Sequence, residues 1–143
     1  MDKKKILLVE DNRDDILLIE RVFHKSKLSE KFDLNVAQDG NQAASYLKNL
    51  KQKDTLPMIL LLDLKLPRVD GFEVLQLIRK NEKTQLIPVI VFTSSKEEKD
   101  ITKAYLLGAN SYVRKPIDSE KFMSVLQQII SYWGDINEIP MKQ

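Results

Sequence analysis

The sequence predicts an α/β fold in which helices cover both faces of a five-stranded parallel sheet. Three short segments, 6–9, 58–62 and 89–92, are apolar at every position, as expected for strands that are buried on both faces. Longer segments with helical spacing of apolar residues separate them. Two weaker candidate strands, 33–38 and 111–114, complete an alternation of five strands with helices, which is the pattern of a doubly wound fold.

Capping residues indicate where the helices begin. Three pairs place a capping side chain three residues before an acid, an arrangement that satisfies free backbone amides in a first helical turn. The pairs are Asn12 with Asp15, Asp70 with Glu73, and Ser95 with Glu98. Gly108 is expected to end a helix in a left-handed conformation, and Asp118 is expected to cap a last helix from about Ser119. Each paired helix then begins just after a strand or the turn that follows it.

Composition limits the size and the chemistry of the protein. With 143 residues, 43% of them hydrophobic, the chain suits one compact domain, which we place at residues 1–133 with a tail at 134–143. The formal net charge of +2 argues against a dedicated nucleic-acid binder. The chain contains no cysteine and no apolar stretch long enough to span a membrane, so we expect a cytoplasmic protein that uses carboxylates, hydroxyls and amines.

Polar residues follow the predicted strands at the points where the apolar segments end. Glu10 and Asp11 follow the first segment, Asp63 the second and Thr93 the third, and Lys115 comes after the last strand. The carboxyl ends of parallel strands meet at one edge of an open α/β sheet, where ligands bind. The sequence therefore gathers three carboxylates, a hydroxyl and an amine in one place.

Three neighbouring carboxylates repel one another unless a cation joins them. Oxygen ligands favour Mg²⁺ over zinc or copper, and the sole histidine, His24, lies in a predicted helix away from this edge. With a metal ion and Lys115 beside it, Asp63 becomes a plausible nucleophile toward a phosphoryl group. The metal and the amine would neutralise charge on the transferring oxygens.

Each of these residues also has a purely structural interpretation. The acids between positions 10 and 15 could form a solvated first turn favoured by the helix dipole. Thr93 alone suits a strand, and Lys115 alone suits the surface. Asp63 is harder to explain in this way, because a carboxylate that continues an apolar strand is partly desolvated and costly unless it is paired. The joint placement of the residues, more than any single identity, favours a functional site.

Four segments in this order resemble the receiver domains of two-component response regulators. They are 6–12, 61–71, 91–95 and 108–116, and the resemblance extends over about 4–133. It implies a flavodoxin-like doubly wound sheet with strand order 2-1-3-4-5 and five helices. It also implies a signalling module that accepts a phosphoryl group and does not act as a turnover enzyme.

The resemblance implies a role for each matching residue at the strand ends. Glu10 and Asp11 would bind Mg²⁺ together with Asp63, which would be the phosphoacceptor. The backbone carbonyl of Lys65 would supply a further metal ligand.

The resemblance also implies roles for residues of the last two strands. Thr93 would hydrogen-bond the phosphoryl oxygens, and Lys115 would pair with them. Tyr112 resembles the aromatic switch residue that moves inward as Thr93 is drawn toward the phosphate. Pro116 would follow a cis peptide bond, which suits a tight turn that aims Lys115 into the site.

Finer details are similar to stand-alone receivers associated with phytochromes. They include the segments 12–15 and 63–71, and Tyr132 and Trp133 before Pro140. The expected partner is a sensor histidine kinase, with a phytochrome-like one favoured, and no nucleic-acid or membrane partner is expected. The alternative is a flavin-binding module of the same topology. Its phosphate loop would have to offer backbone amides, whereas the first loop here is acidic.

Apolar residues beyond the last predicted helix leave two interpretations of the C-terminus open. Trp133 and Ile136 could fold back and complete the core of their own domain. They could instead form a dimer face with Tyr105, because large exposed apolar groups mark contact surfaces. We expect a homodimer, and phosphorylation would be coupled to association through Thr93 and Tyr112.

Overall fold

The computed structural model describes residues 3–50 and 56–140 and contains one sheet of five parallel strands in the order β2-β1-β3-β4-β5. The strands are β1 (Lys4–Val9), β2 (Phe32–Ala37), β3 (Ile59–Leu62), β4 (Val89–Thr93) and β5 (Ser111–Arg114). The helices are α1 (Arg13–Lys25), α2 (Gly40–Lys48), α3 (Gly71–Lys80), α4 (Glu98–Leu106) and α5 (Ser119–Ser131). The predicted fold class and strand order are confirmed. No helix in the described part of the chain has the length and apolar character needed to cross a bilayer.

Alternating side chains of the central strands supply two separate cores, because successive strand residues point to opposite faces of a sheet. Ile6 and Leu8 of β1 pack in the layer covered by α1 and α5. Leu7 and Val9 pack in the layer covered by α2, α3 and α4. Strands β1, β3 and β4 are therefore apolar at nearly every position, and their polar residues are confined to the ends.

Three of the helix starts are capped as the sequence predicts. The side chains of Asn12, Asp70 and Asp118 accept hydrogen bonds from backbone amides in the first turns of α1, α3 and α5. The cap expected from Ser95 is wrong, because α4 is preceded by Glu97 and has no side-chain cap. The Ser95 hydroxyl instead donates to Asp100 at 2.6 Å and accepts from the Glu97 amide at 3.3 Å. This hydroxyl therefore connects the residue before α4 with a side chain of the first turn of α4.

Gly108 ends α4 as the sequence predicts. Its φ is +105°, and the amides of Gly108 and Ala109 donate to the carbonyls of Tyr105 and Ala104 at 3.0 Å each. This is the Schellman pattern, which favours glycine at the left-handed position.

Arg79 ties this turn to the end of α3. Its guanidinium donates to the carbonyls of Gly108, Gln85 and Ile87 and to the Asn110 side chain, at 2.8–2.9 Å. Burial lowers the pKa of Arg79. One side chain thus holds together the ends of α3 and α4 and the segment that enters β4.

We expect Arg79→Met to lower the free energy of unfolding by about 2–3 kcal/mol, because several carbonyls lose a charged donor. Lys80→Met removes the same charge from the exposed neighbouring position and is expected to change stability by less than about 0.5 kcal/mol. Urea unfolding of both variants measures the difference. Equal destabilisation would contradict the role given to Arg79.

The segment that follows α5, as far as Ile139, packs on its own domain. A π-helical turn, Tyr132–Ile136, continues α5, and Trp133 and Ile139 are partly buried against the core beneath α1 and α5. Gly134 is buried so closely that an added Cβ would lie 2.7 Å from the ring of Phe32. Ile136 points outward and is 66% exposed. Trp133 therefore folds back onto the core of its own domain, as one of the two interpretations expects. Ile136 remains accessible to a partner.

Candidate functional site

Backbone hydrogen bonds that continue the sheet place four functional residues at its carboxyl edge. The amides of Glu10 and Asp63, just beyond β1 and β3, donate to Ala37 and Val9 at 3.0 Å. The Lys115 amide, just beyond β5, donates to the carbonyl of Thr93 at 2.7 Å. All four of Glu10, Asp63, Thr93 and Lys115 are buried. Their side chains therefore meet in a site fixed by the sheet itself.

Lys115 is the centre of an ion-pair network. Its Nζ donates to Glu10 Oε1 at 2.5 Å, to Asp15 Oδ2 at 2.8 Å and to Asp63 Oδ2 at 3.1 Å. An ammonium group has three N–H donors, so each carboxylate receives one of them. The Lys115 side chain is only 7% exposed, and a buried cation of this kind needs such pairing.

Asp63 is held by further donors on its other oxygen. Thr93 Oγ1 donates to Asp63 Oδ1 at 2.6 Å, and the Lys65 amide donates to the same oxygen at 3.3 Å. The two oxygens of Asp63 thus have distinct environments, one facing the hydroxyl and an amide, the other facing the ammonium group. This arrangement orients the carboxylate and leaves it anionic.

The pKa values of the two buried acids move in opposite directions. Burial, followed by the negative charge of Asp63, raises the pKa of Glu10 to about 8 although Lys115 opposes the change. Burial also acts to raise the pKa of Asp63, but the Lys115 charge and the Thr93 hydroxyl outweigh it, and this pKa lies below its usual value. Burial acts to lower the pKa of Lys115, and the carboxylates of Asp63 and Glu10 raise it above its usual value. Of the two buried acids, Asp63 is therefore the one that is held anionic, and Glu10 is the one that is more readily protonated.

Glu10, Asp11 and Asp63 form a cluster suited to a metal ion. Each offers a carboxylate oxygen, and the three oxygens lie within 4.8 Å of one another. Glu10 and Asp63 are buried, whereas Asp11 is exposed, which leaves one side open to water. Oxygen donors with room for water fit a hard divalent cation such as Mg²⁺ or Mn²⁺.

The loop from Asp63 to α3 is packed tightly beside this cluster. The Gly71 amide donates to the Leu64 carbonyl at 3.0 Å, and a Cβ at Gly71 would lie 2.4 Å from the Asp63 carbonyl oxygen. Arg68, with φ of +66°, donates to the buried Asp39 carboxylate at 3.2 Å. The backbone of Lys65 is thereby held next to the site.

Tyr112 and Pro116 lie at the rim of the site. The half-buried Tyr112 donates its hydroxyl to the Ser95 carbonyl at 2.9 Å, two residues beyond Thr93. Burial raises the pKa of this phenol. The expected cis bond before Pro116 is wrong, because no cis peptide occurs among the described residues. The hydrogen bond from the Lys115 amide to the Thr93 carbonyl fixes the backbone from which the lysine enters the site, and the trans isomer is the ordinary preference before proline.

Asp15 is a site residue that the sequence interpretation missed. The spacing of Asn12 and Asp15 predicts a helix cap, and the Asp15 amide does donate to Asn12 Oδ1 at 3.0 Å. Its carboxylate, however, faces Lys115. The available signal was its place in the first turn of α1, directly after the acids that follow β1.

The residues assigned to assembly lie away from this site. Trp133 packs in the layer of α1 and α5. Tyr105 is 49% exposed on α4, whose Ala104 contributes to the opposite layer. The described structure therefore does not gather Tyr105 and Trp133 in one core.

Comparison with known proteins identifies the class to which this fold and site belong. Residues 6–127 match the response regulator receiver domain family, and the chain is a member of that family of two-component signalling domains. It is 34% identical to response regulator Rcp1 of Synechocystis sp., over 96% of this chain and 93% of Rcp1. It is 38% identical to a probable methanogenesis regulatory protein, FilR2, of Methanothrix harundinacea, over 94% and 86% of the two chains.

Solved structures support the same assignment. The phosphorylated cyanobacterial phytochrome response regulator RcpA superposes with a TM-score of 0.89 at 33% identity, over 97% of this chain and 99% of that one. The Mn²⁺-bound form of Rcp1 gives a TM-score of 0.86 at 34% identity, over 96% and 99%. The chain is therefore close to stand-alone phytochrome response regulators, and this likeness favours a receiver over the flavin-binding alternative.

Proposed function

We propose that Asp63 accepts a phosphoryl group from a phosphohistidine of a partner sensor kinase. An Asp63 carboxylate oxygen attacks phosphorus, the bond from phosphorus to the histidine nitrogen breaks, and the imidazole leaves with the electron pair and takes up a proton. The protein is the acceptor in this transfer and is not a turnover enzyme. The observation that carries the proposal is the buried, anionic Asp63 between the Thr93 hydroxyl at 2.6 Å and the Lys115 ammonium at 3.1 Å.

The resident cation in this proposal is Mg²⁺, held by Glu10, Asp11, Asp63 and the backbone carbonyl of Lys65. The carboxylate cluster and the Mn²⁺-bound form of Rcp1 support a divalent metal at this place. Such an ion, when bound, neutralises charge on the phosphoryl oxygens. Lys115 would neutralise further charge on the phosphoryl oxygens, and Thr93 would donate to one of them.

The conformational readout passes through Thr93 and Tyr112. Thr93 moves toward the phosphoryl group, and the β4–α4 loop that follows Thr93 moves with it. Tyr112 is bound to the Ser95 carbonyl of this loop, so a displacement of the loop changes the position of the ring. The surface formed by α4 and β5 would then report the phosphorylation state.

The proposed donor is a cytoplasmic histidine kinase linked to a phytochrome-like sensor. The support is the likeness to RcpA, a cyanobacterial phytochrome response regulator. A kinase that uses ATP works in the cytoplasm, so the receiver would act in the same compartment.

The direct test is to incubate the protein with Mg²⁺ and acetyl phosphate and to map the label. Borohydride reduction converts an aspartyl phosphate into homoserine, which mass spectrometry of peptides locates. We expect homoserine at position 63 and no labelling when a chelator is present. A label on another residue, or labelling that ignores the chelator, would refute the assignment.

We further propose that phosphorylation promotes a homodimer through exposed apolar residues of α4 and the C-terminal turn. Tyr105 and Leu106 are 49% and 81% exposed, and Tyr132 and Ile136 are 48% and 66% exposed. Large exposed apolar groups of this kind favour a contact surface. Coupling would be reciprocal, so association would also favour the phosphorylated conformation.

Sedimentation with and without beryllofluoride, a mimic of the phosphoryl group, measures this coupling. At concentrations on the order of tens of micromolar, we expect the wild type to dimerise with the mimic and Ile136→Glu to remain monomeric. Leu77→Glu changes a residue of α3 that is 51% exposed and is the matched control, expected to dimerise. A wild type that stays monomeric in both states would rule out the dimer.

A further inference from the structure

Asp15 is the one carboxylate bound by Lys115 that lies outside the metal-binding cluster. Lys115 Nζ donates to Glu10, Asp15 and Asp63. Among the described residues, Glu10 and Asp63 also belong to the group that could hold a metal ion, together with Asp11, and Asp15 does not. The three partners of the lysine are therefore not equivalent once a cation is present.

A cation in the cluster changes the forces on Lys115. A bound cation would offset part of the negative charge of Glu10 and Asp63, and it would repel the Lys115 ammonium group at short range. Both effects weaken the hold of those two carboxylates on Lys115. Asp15 keeps its full charge for the lysine, at 2.8 Å, in a position where its side chain is 21% exposed.

The backbone of Asp15 is fixed independently of the site. Its amide donates to Asn12 Oδ1 in the first turn of α1, where an acid is also favoured by the helix dipole. The carboxylate is thus presented from a rigid element at the rim of the site, as a positioning group requires.

We propose that Asp15 is a positioning residue for phosphoryl transfer and holds the Lys115 ammonium beside Asp63 while a divalent cation occupies the acid cluster. The inference rests on the proposed function of Asp63. Asp15 forms no bond to the phosphoryl group. It acts by keeping Nζ within reach of the phosphoryl oxygens while the Asp63 oxygen bonds to phosphorus and the bond to the leaving group breaks.

The test compares Asp15→Asn with Asp14→Asn. Both variants remove one negative charge from the first turn of α1, and Asp14 is exposed with no hydrogen bond to Lys115. At saturating Mg²⁺ we expect Asp15→Asn to slow labelling by acetyl phosphate about tenfold, the size of one lost charge-assisted contact. We expect the labelling rate of Asp14→Asn to stay within about twofold of the wild-type rate. Both variants are expected to bind Mg²⁺ with an affinity similar to that of the wild type.

A double-mutant cycle separates positioning from a general structural effect. In a Lys115→Ala background, Asp15→Asn is expected to cause no further loss, because Asp15 acts only through the lysine. Thermal unfolding of each variant confirms that the comparison is made on folded protein. A tenfold loss that persists in the Lys115→Ala background would overturn the inference.

The outcomes distinguish this inference from the proposed function. A wild type that acetyl phosphate does not label would contradict the proposed function itself. A wild type labelled on Asp63, with Asp15→Asn and Asp14→Asn labelled at equal rates, would overturn the role of Asp15 alone.

Discussion

Asp63→Asn is expected to abolish phosphorylation by acetyl phosphate or by a histidine kinase in the presence of Mg²⁺. The amide is not a nucleophile toward phosphorus and carries no charge for the metal. Intact-protein mass spectrometry should show the wild type fully labelled and the variant unlabelled. The loss should be essentially complete, because among the described residues it is the Asp63 carboxylate that lies between Thr93 and Lys115.

The fold of the Asp63→Asn variant should remain intact. Lys115 keeps Glu10 and Asp15 as partners, and the amide oxygen of the substituted side chain can still accept the Thr93 hydrogen bond. Removing one of the clustered charges also relieves repulsion within the site. Asp14→Asn is the charge-matched control and should be labelled as the wild type is. Stoichiometric labelling of Asp63→Asn would show that another residue is the acceptor.

Asp11→Lys is expected to abolish stabilisation of the protein by Mg²⁺. A ligand that binds only the folded state stabilises it by RT ln(1 + [L]/Kd), which is about 1.4 kcal/mol at ten times Kd. The wild type should therefore unfold a few degrees higher with saturating Mg²⁺. A lysine at position 11 would place an ammonium group near Glu10 and Asp63. This group would pair with the two carboxylates and would repel a metal ion.

The metal-free Asp11→Lys protein should be at least as stable as the metal-free wild type, because the empty cluster stores repulsion between carboxylates. Asp14→Lys reverses the same charge outside the cluster and is expected to keep the Mg²⁺ response. Differential scanning calorimetry of the three proteins, each with Mg²⁺ and with chelator, measures both effects. An undiminished Mg²⁺ shift in Asp11→Lys would count against the cluster as the metal site.

Local patterns along the chain were sufficient to predict the elements that build the site. Segments that are apolar throughout correspond to β1, β3 and β4, since only strands covered on both faces tolerate such composition. The prediction for β2 was displaced by one residue, 33–38 against Phe32–Ala37. Strand β2 lies at the edge of the sheet and its residues vary in exposure. Its sequence therefore lacks the continuous apolar pattern that marks the central strands. Glu10, Asp63, Thr93 and Lys115 were placed together because parallel strands end at a common edge.

Contacts between distant segments depended on the tertiary structure. Asp15 and Lys115 are 100 positions apart, and the spacing that identified Asp15 as part of a helix start contains no information about the lysine. The Ser95 side chain could either cap α4 or donate a hydrogen bond to Asp100. The path of the loop before α4 favours the hydrogen bond to Asp100. The trans bond before Pro116 is likewise a choice between two isomers that differ by about 0.5–1 kcal/mol locally.

Local sequence patterns are sufficient to predict the parallel sheet, the helix caps at Asn12, Asp70 and Asp118, and the set of groups at the sheet edge. These follow from interactions within a few residues and from the periodicity of strands and helices. Packing in the folded domain, in contrast, places Trp133 against the layer of α1 and α5 and leaves Ile136 exposed. The same packing brings three carboxylate partners to Lys115. Side-chain partners across a core are selected by packing of the whole domain, because many groups that are distant in sequence compete for the same space.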